Sequence, residues 1–216
     1  MRSVRVAPAG ALLAALLAAT LVTGCTGGGN TDVVPPPGDP SVALDTPDLV
    51  DLKAKAGIED CPTPDPSSDP APSKLPAVTL ACLGGGPAVD LSTLRGPMVV
   101  NLWGSACGPC RTEMPVLGRF ADEHGDQVAV LGVDTIDTFP AKALEQAGKR
   151  GASYPQLADQ DGALLEQPEF ARAARGLPYT AFVDADGTVR GEHQGAIDSV
   201  DQLADLVSTY LGVQVS

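Results

Sequence analysis

The chain predicts an α/β protein: a central mixed sheet flanked by helices and preceded by an N-terminal extension. Three observations carry that class. Two apolar, β-branched runs, 98–103 and 127–134, have the composition and length of buried strands. Between them Met114, Leu117, Phe120 and Ala121 recur at three- and four-residue steps, the period of a helix packed on one face. Strand, helix and strand in that order make a right-handed unit with a parallel strand pair. Downstream, runs 179–184 and 188–192 flank Asp186-Gly187, a hairpin signal that adds antiparallel strands.

The extension comes first. Arg2 and Arg5 precede an apolar run, 9–22, which is too short to span a bilayer and has the length of a secretory leader's hydrophobic region. It ends in Leu21-Val22-Thr23-Gly24-Cys25, which resembles a bacterial lipobox. The resemblance implies a signal peptide at 1–24, cleavage after Gly24 and lipidation of the Cys25 sulfur. That would anchor the chain to the extracytoplasmic face of the cell membrane. A secreted protein cut nearby and an uncleaved anchor are the alternatives. Residues 25–45 are rich in Gly, Pro, Asp and Thr, a composition that cannot bury a core, and are expected to form a disordered tether. As a coil of about 20 residues it would span roughly 25 Å.

Residues 46–74 are expected to pack on the domain as a helix and a loop. Thr46-Pro47-Asp48 reads as a helix start with a capping hydroxyl, and Gly57 as its stop. Beyond it, a strand is predicted over 75–80 and a turn at Gly84-Gly85-Gly86. Residues 89–94 lead to a further turn at 95–97, before the strand at 98–103. A helix follows from about Cys107 to His124, stopped by Gly125 and kinked at Pro115. Later elements are a helix over 140–149 ended by Gly151, a strand over 153–158 and a helix over 163–174 interrupted at Pro168. An amphipathic helix over 199–211 turns Leu203, Leu206, Val207 and Tyr210 inward.

With 27 acidic and 14 basic residues, a net charge of −13, the chain is a poor match for nucleic acid or an anionic membrane surface. Its chemistry concentrates in 103–115, Trp-Gly-Ser-Ala-Cys-Gly-Pro-Cys-Arg-Thr-Glu-Met-Pro. Cys107 falls where a strand end becomes a helix N-terminus. Unpaired N–H groups and the partial positive charge there favour a thiolate. Cys110 lies one turn on, within reach of a small disulfide.

This stretch, with Gly176-Leu177-Pro178-Tyr179-Thr180 further on, resembles the TlpA/ResA-like branch of thioredoxin-fold thiol–disulfide oxidoreductases. The resemblance covers roughly the last two thirds of the chain. It implies a thioredoxin-like domain over 75–214, with a TlpA-type αβ insertion after the strand–helix–strand unit. It assigns Cys107 as nucleophile and Cys110 as resolving thiol. Pro178 becomes a cis-proline facing the disulfide, with Leu177 offering backbone hydrogen bonds to a bound peptide. Trp103 joins the substrate-binding group, although packing against the active-site helix is its other reading. The redox group is the disulfide itself, so no cofactor or metal is expected. Partners would be protein thiols and disulfides, together with a membrane electron donor of the thiol-relay type. Two departures matter. Asn101 replaces a buried, proton-shuttling Asp, so Glu113 is the candidate proton relay, with helix charge compensation as its ordinary role. Ala106 replaces the Trp that commonly precedes the first Cys, which leaves a less aromatic rim.

Cys61 and Cys82 remain after the other three cysteines are assigned. In an extracytoplasmic compartment they are expected to form a structural disulfide. A second redox pair and zinc shared with Cys107 and Cys110 are the alternatives. His124, His193 and the two Asp-x-Asp-Gly turns, at 159–162 and 184–187, read as surface, packing and turn residues. Together these readings predict disulfide exchange with proteins, as a reductase, and the family resemblance implies cytochrome c maturation as its setting. A thiol oxidase or a non-catalytic binding or metal-delivery module are the rival functions.

Overall fold

Every residue of β3 (Met98–Trp103) is buried, and that strand places the rest of the sheet. The computed structural model describes residues 42–63 and 73–215. The expected signal peptide, Cys25 and most of the tether lie outside them, as do residues 64–72 between Cys61 and Cys82. In chain order the elements are α1 (Pro47–Ala56), β1 (Thr79–Cys82), β2 (Val89–Asp90), β3, α2 (Gly108–His124), β4 (Ala129–Thr135), α3 (Pro140–Lys149), β5 (Gln156–Asp159), β6 (Tyr179–Val183), β7 (Val189–Gln194) and α4 (Val200–Leu211). The seven strands run β2-β1-β5-β4-β3-β6-β7. β3, β4 and β5 are parallel, and the other pairings are antiparallel. This is the mixed sheet that the strand–helix–strand unit and the hairpin predicted.

Side chains alternate across the sheet, and the two layers differ in kind. Val99, Trp103, Val130 and Phe182 join one core with residues of all four α-helices, including Leu49, Met114, Leu144 and Leu203. Val100, Leu102, Leu131 and Val133 point the other way, toward Leu91, Leu164, Phe170 and Ala173. Those last residues sit on or beside 3₁₀ turns, Leu91–Thr93, Ala163–Glu166 and Ala171–Arg175.

The helix predicted over 163–174 is therefore corrected to two 3₁₀ turns. Pro168 has no N–H to continue a helical ladder and disfavours helical backbone at Gln167. The Asp159 carboxylate caps the first turn instead, accepting from the N–H groups of Ala163 at 2.7 Å and Leu164 at 3.1 Å. The strand predicted over 75–80 begins later, at Thr79. Its early part is held by Ser73, whose hydroxyl accepts from the Leu75 N–H. At α1 the Thr46 hydroxyl makes no cap, while Gly57 ends the helix in the left-handed conformation as expected. Pro115 lies inside an unbroken α2.

Both outer strands are guarded. β2 is two residues long, and β7 carries Arg190 and Glu192, paired with Asp184 and Arg172 respectively. α2 and the turn after α3 approach so closely that a Cβ on Gly118 would lie 1.9 Å from the Gly151 carbonyl oxygen. Because that neighbour is backbone, Gly118→Ala should lower unfolding free energy by about 1–3 kcal/mol through overpacking. Chemical denaturation would measure it, and an unchanged midpoint would contradict the packing described.

Candidate active site

The site lies at the carboxyl ends of the parallel strands. The pairing of Leu102 with Tyr179 and of Trp103 with Asp134 brings three loops to that edge: 104–107, 135–139 and 176–178. Open α/β sheets carry their chemistry there because successive loops converge on it. A cavity of about 740 Å³ is lined by Met98, Gly125 and Ala129 at the other end of β3 and β4.

Cys107 is the N-cap of α2, and its Sγ accepts the Cys110 N–H at 3.2 Å. Cys107 is partly exposed and Cys110 is fully buried. The two form a disulfide, as do Cys61 and Cys82. The four cysteines are thereby paired with each other, and the shared zinc site considered from sequence is not formed. The two differ in exposure: of the pair, Cys107 is open to solvent while Cys110 is enclosed. Arg111 donates to the Ser105 carbonyl at 2.9 Å and brings a cation to the turn carrying Cys107. A helix N-terminus and a nearby cation both favour the thiolate.

The Leu177–Pro178 bond is cis, as expected. Gln194 holds this loop from β7, donating to the carbonyls of Gly176 at 2.6 Å and Pro178 at 3.1 Å. The three loops meet at Gly104, where a Cβ would lie in ordinary contact, 3.7 Å from Leu177 Cδ1 and 3.7 Å from the Thr135 carbonyl oxygen. Trp103 is corrected from a substrate-contact residue to a packing one. It is wholly buried, with Nε1 donating to Gln156 Oε1 at 2.9 Å.

Beneath the disulfide, Glu113 is fully buried one turn after Cys110. Its Oε1 accepts from Asn101 Nδ2 at 2.8 Å and its Oε2 from the Ile197 N–H at 3.1 Å. Asn101 also donates to Thr180 Oγ1 at 3.1 Å. Burial raises the Glu113 pKa to about 7, with the Asn101 and Ile197 hydrogen bonds opposing that rise. A carboxyl poised near neutrality can both give and take a proton, as a resolving thiol requires. Asn101 cannot titrate itself and acts as the donor that orients Glu113.

Sequence reasoning missed a second carboxyl pair. Asp137 accepts from the Ser105 N–H at 2.8 Å through one oxygen and from the Phe139 N–H at 2.8 Å through the other, clamping two loops of the site. Burial, reinforced by the Asp137 charge, raises Asp134 to about 8. Asp134 thus holds its proton more tightly than an ordinary carboxyl, beside the Asp137 clamp. Their position at the end of a parallel strand, just before the Pro140 helix start, was the signal available in the sequence.

A partly exposed cysteine on a helix N-cap, a buried partner, a cis-proline loop beside them and a buried carboxyl below define a thioredoxin-fold thiol–disulfide oxidoreductase. Residues 70–207 match the Redoxin family model, and the chain belongs to that family. It is similar to the thiol:disulfide interchange protein DsbE of Pseudomonas fluorescens biotype C, 31% identical over 150 residues, 66% of this chain and 80% of that one. It is also similar to the thiol-disulfide oxidoreductase ResA of Halalkalibacterium halodurans, 27% identical across 56% of this chain and 69% of that one. Among solved structures, a secreted Mycobacterium tuberculosis disulfide oxidoreductase aligns with a TM-score of 0.52 and 26% identity, covering 62% of this chain and 96% of that one. A DsbF homologue from Corynebacterium diphtheriae aligns at 0.56 and 19% identity, over 70% of this chain and 99% of that one, and shares the fold. Membership of the family implies protein thiols and disulfides as the substrates.

The raised Glu113 pKa has a thermodynamic consequence. Between its ordinary value near 4.5 and about 7, the folded chain holds a proton that the unfolded chain has lost, so stability falls as pH rises through that window. Compared with Glu113→Gln, the wild-type chain should lose on the order of 3 kcal/mol from pH 4.5 to above 7, then run parallel to the variant. Denaturation midpoints across pH would measure this. Parallel curves throughout would mean that Glu113 is not held protonated.

Proposed function

We propose that the chain is a membrane-anchored reductase of extracytoplasmic protein disulfides, held by lipid on Cys25 and reduced by a thiol-relay donor in the membrane. The carrying observation is the Cys107 sulfur at the N-terminus of α2, partly exposed above a buried Cys110. The Cys107 thiolate attacks one sulfur of a substrate disulfide, forming a mixed disulfide and releasing the other sulfur as a thiolate. Cys110, deprotonated toward Glu113, then attacks Cys107 Sγ. The substrate leaves reduced, and the Cys107–Cys110 bond closes.

The reductive direction is supported by Gly108-Pro109 between the cysteines, the thioredoxin dipeptide, whose bearer has a potential of ~−270 mV. The similarity to relatives named DsbE and ResA supports haem-attachment thiols of cytochrome c as substrates, by analogy. The lipobox-like 21–25 supports the anchor. Among the described residues no helix is long and apolar enough to cross a membrane.

Direction is tested by the redox state of the pair in living cells, read by acid quench and alkylation. A predominantly reduced Cys107–Cys110 pair is expected, and a predominantly oxidised one would reverse the assignment to a thiol oxidase. Cys110→Ser should accumulate covalent adducts with envelope proteins that dithiothreitol releases, while Cys107→Ser should accumulate none. Glu113→Gln should slow exchange near neutral pH by about 10–100-fold and flatten its pH profile there. Cys25→Ser should move the protein from the membrane fraction to the soluble one, and unchanged retention would remove the lipid anchor.

A further inference from the structure

The Cys61–Cys82 disulfide sits in an electrically lopsided setting. Lys53 of α1 is buried, and its Nζ lies 3.4 Å from Cys82 Sγ. The same ammonium donates to Asp60 Oδ1 at 3.0 Å and to the Gly85 carbonyl at 3.3 Å. The opposite sulfur, Cys61 Sγ, lies 3.3 Å from the Gln156 carbonyl oxygen. One sulfur thus faces a cation and the other faces a lone pair. Gly84 makes the approach possible: a Cβ there would meet Lys53 Cβ at 2.7 Å and the Leu49 carbonyl oxygen at 3.2 Å.

We propose that Cys61–Cys82 is a second exchangeable disulfide, in which Lys53 makes Cys82 the leaving thiolate and Cys61 the sulfur that is attacked. A disulfide sulfur accepts only weakly from an ammonium, whereas a thiolate accepts strongly. On the other side, a disulfide sulfur has nothing to donate to Gln156, whereas a Cys61 thiol has an S–H directed at an acceptor. Both contacts therefore improve when the bond is reduced, which favours the reduced form.

The reductant is a dithiol, protein or small molecule. Its thiolate bonds to Cys61 Sγ as the Cys61–Cys82 bond breaks, and the electron pair passes to Cys82 beside Lys53. The reductant's second thiolate then attacks its own sulfur in the mixed disulfide. Cys61 leaves and takes a proton from water, and the reductant departs as a disulfide. Both sulfurs are buried, so attack follows local opening of 59–63, where Glu59, Asp60 and Thr63 are already exposed. Reduction would remove the covalent clasp between the segment following α1 and β1. The inference is independent of the direction in which Cys107–Cys110 works.

The test equilibrates the full chain over a series of reduced-to-oxidised dithiothreitol ratios, quenches by alkylation and quantifies each cysteine peptide by mass spectrometry. Lys53→Met should require about tenfold more reductant to open Cys61–Cys82, equivalent to about 30 mV for a two-electron couple. Lys53→Arg should stay within about twofold of wild type. In the reduced wild-type protein, Cys82 should reach half-maximal alkylation at a lower pH than Cys61, a comparison that needs no variant to fold. Superimposable curves for wild type and Lys53→Met, or Cys61 the more acidic thiol, would overturn the proposal. The two pairs are scored on separate peptides, so neither result decides the role of Cys107–Cys110.

Discussion

The organising constraint is the meeting of one sulfur with the first turn of one helix. Cys107 caps α2 by accepting the Cys110 N–H, so the group that performs the chemistry also completes the helix terminus. A helix start leaves donors without partners, and a thiolate satisfies them better than a thiol does. The buried strand β3 delivers the chain to this point, and α2 must leave it in the direction that buries Cys110. Neither can shift without moving the reactive sulfur.

Below that junction the sheet supplies a polar floor where apolar packing would ordinarily lie. Thr180, Asn101 and Glu113 form a connected chain of hydrogen bonds across two strands and α2. In the parallel direction, Gly132 leaves room for the Gln156 side chain that receives the Trp103 indole. A Cβ on Gly132 would sit 2.0 Å from Gln156 Oε1. Buried polar groups are costly unless paired. Here the pairings orient a carboxyl of near-neutral pKa and lock the large indole at the strand end. The floor thus spends polar burial on positioning rather than on cohesion.

Much of this was legible in the sequence because it is local. The 3.6-residue period of α2, the β-branched runs of β3 and β4 and the Asp186-Gly187 turn each depend on neighbours along the chain. Cys107, Cys110 and Pro178 were legible through two short motifs. What the sequence did not reveal was decided by register. Trp103 reads as a substrate-binding or a packing residue, and Gln156 on β5, reached across Gly132, decides for packing by claiming its indole. Asp137 carries no motif, and its role appears only when the turn after β4 folds back on Ser105. The segment 163–174 has helical composition, but the Asp159 carboxylate and Pro168 divide it into two tighter turns. Lys53 carries no motif, and its approach to a sulfur appears only when α1 packs on the glycine turn at Gly84.

The guarded rims of the sheet carry a consequence for crowding. An unpaired strand is a template for a neighbour's backbone, and copies held side by side would present such templates at high local density. Here one rim is too short to seed a ladder. The other bears Arg190, His193 and the Arg172–Glu192 pair, which a docking strand would have to strip of solvent. Copies can therefore gather closely without pairing edge to edge, and fibril growth has no ready starting point.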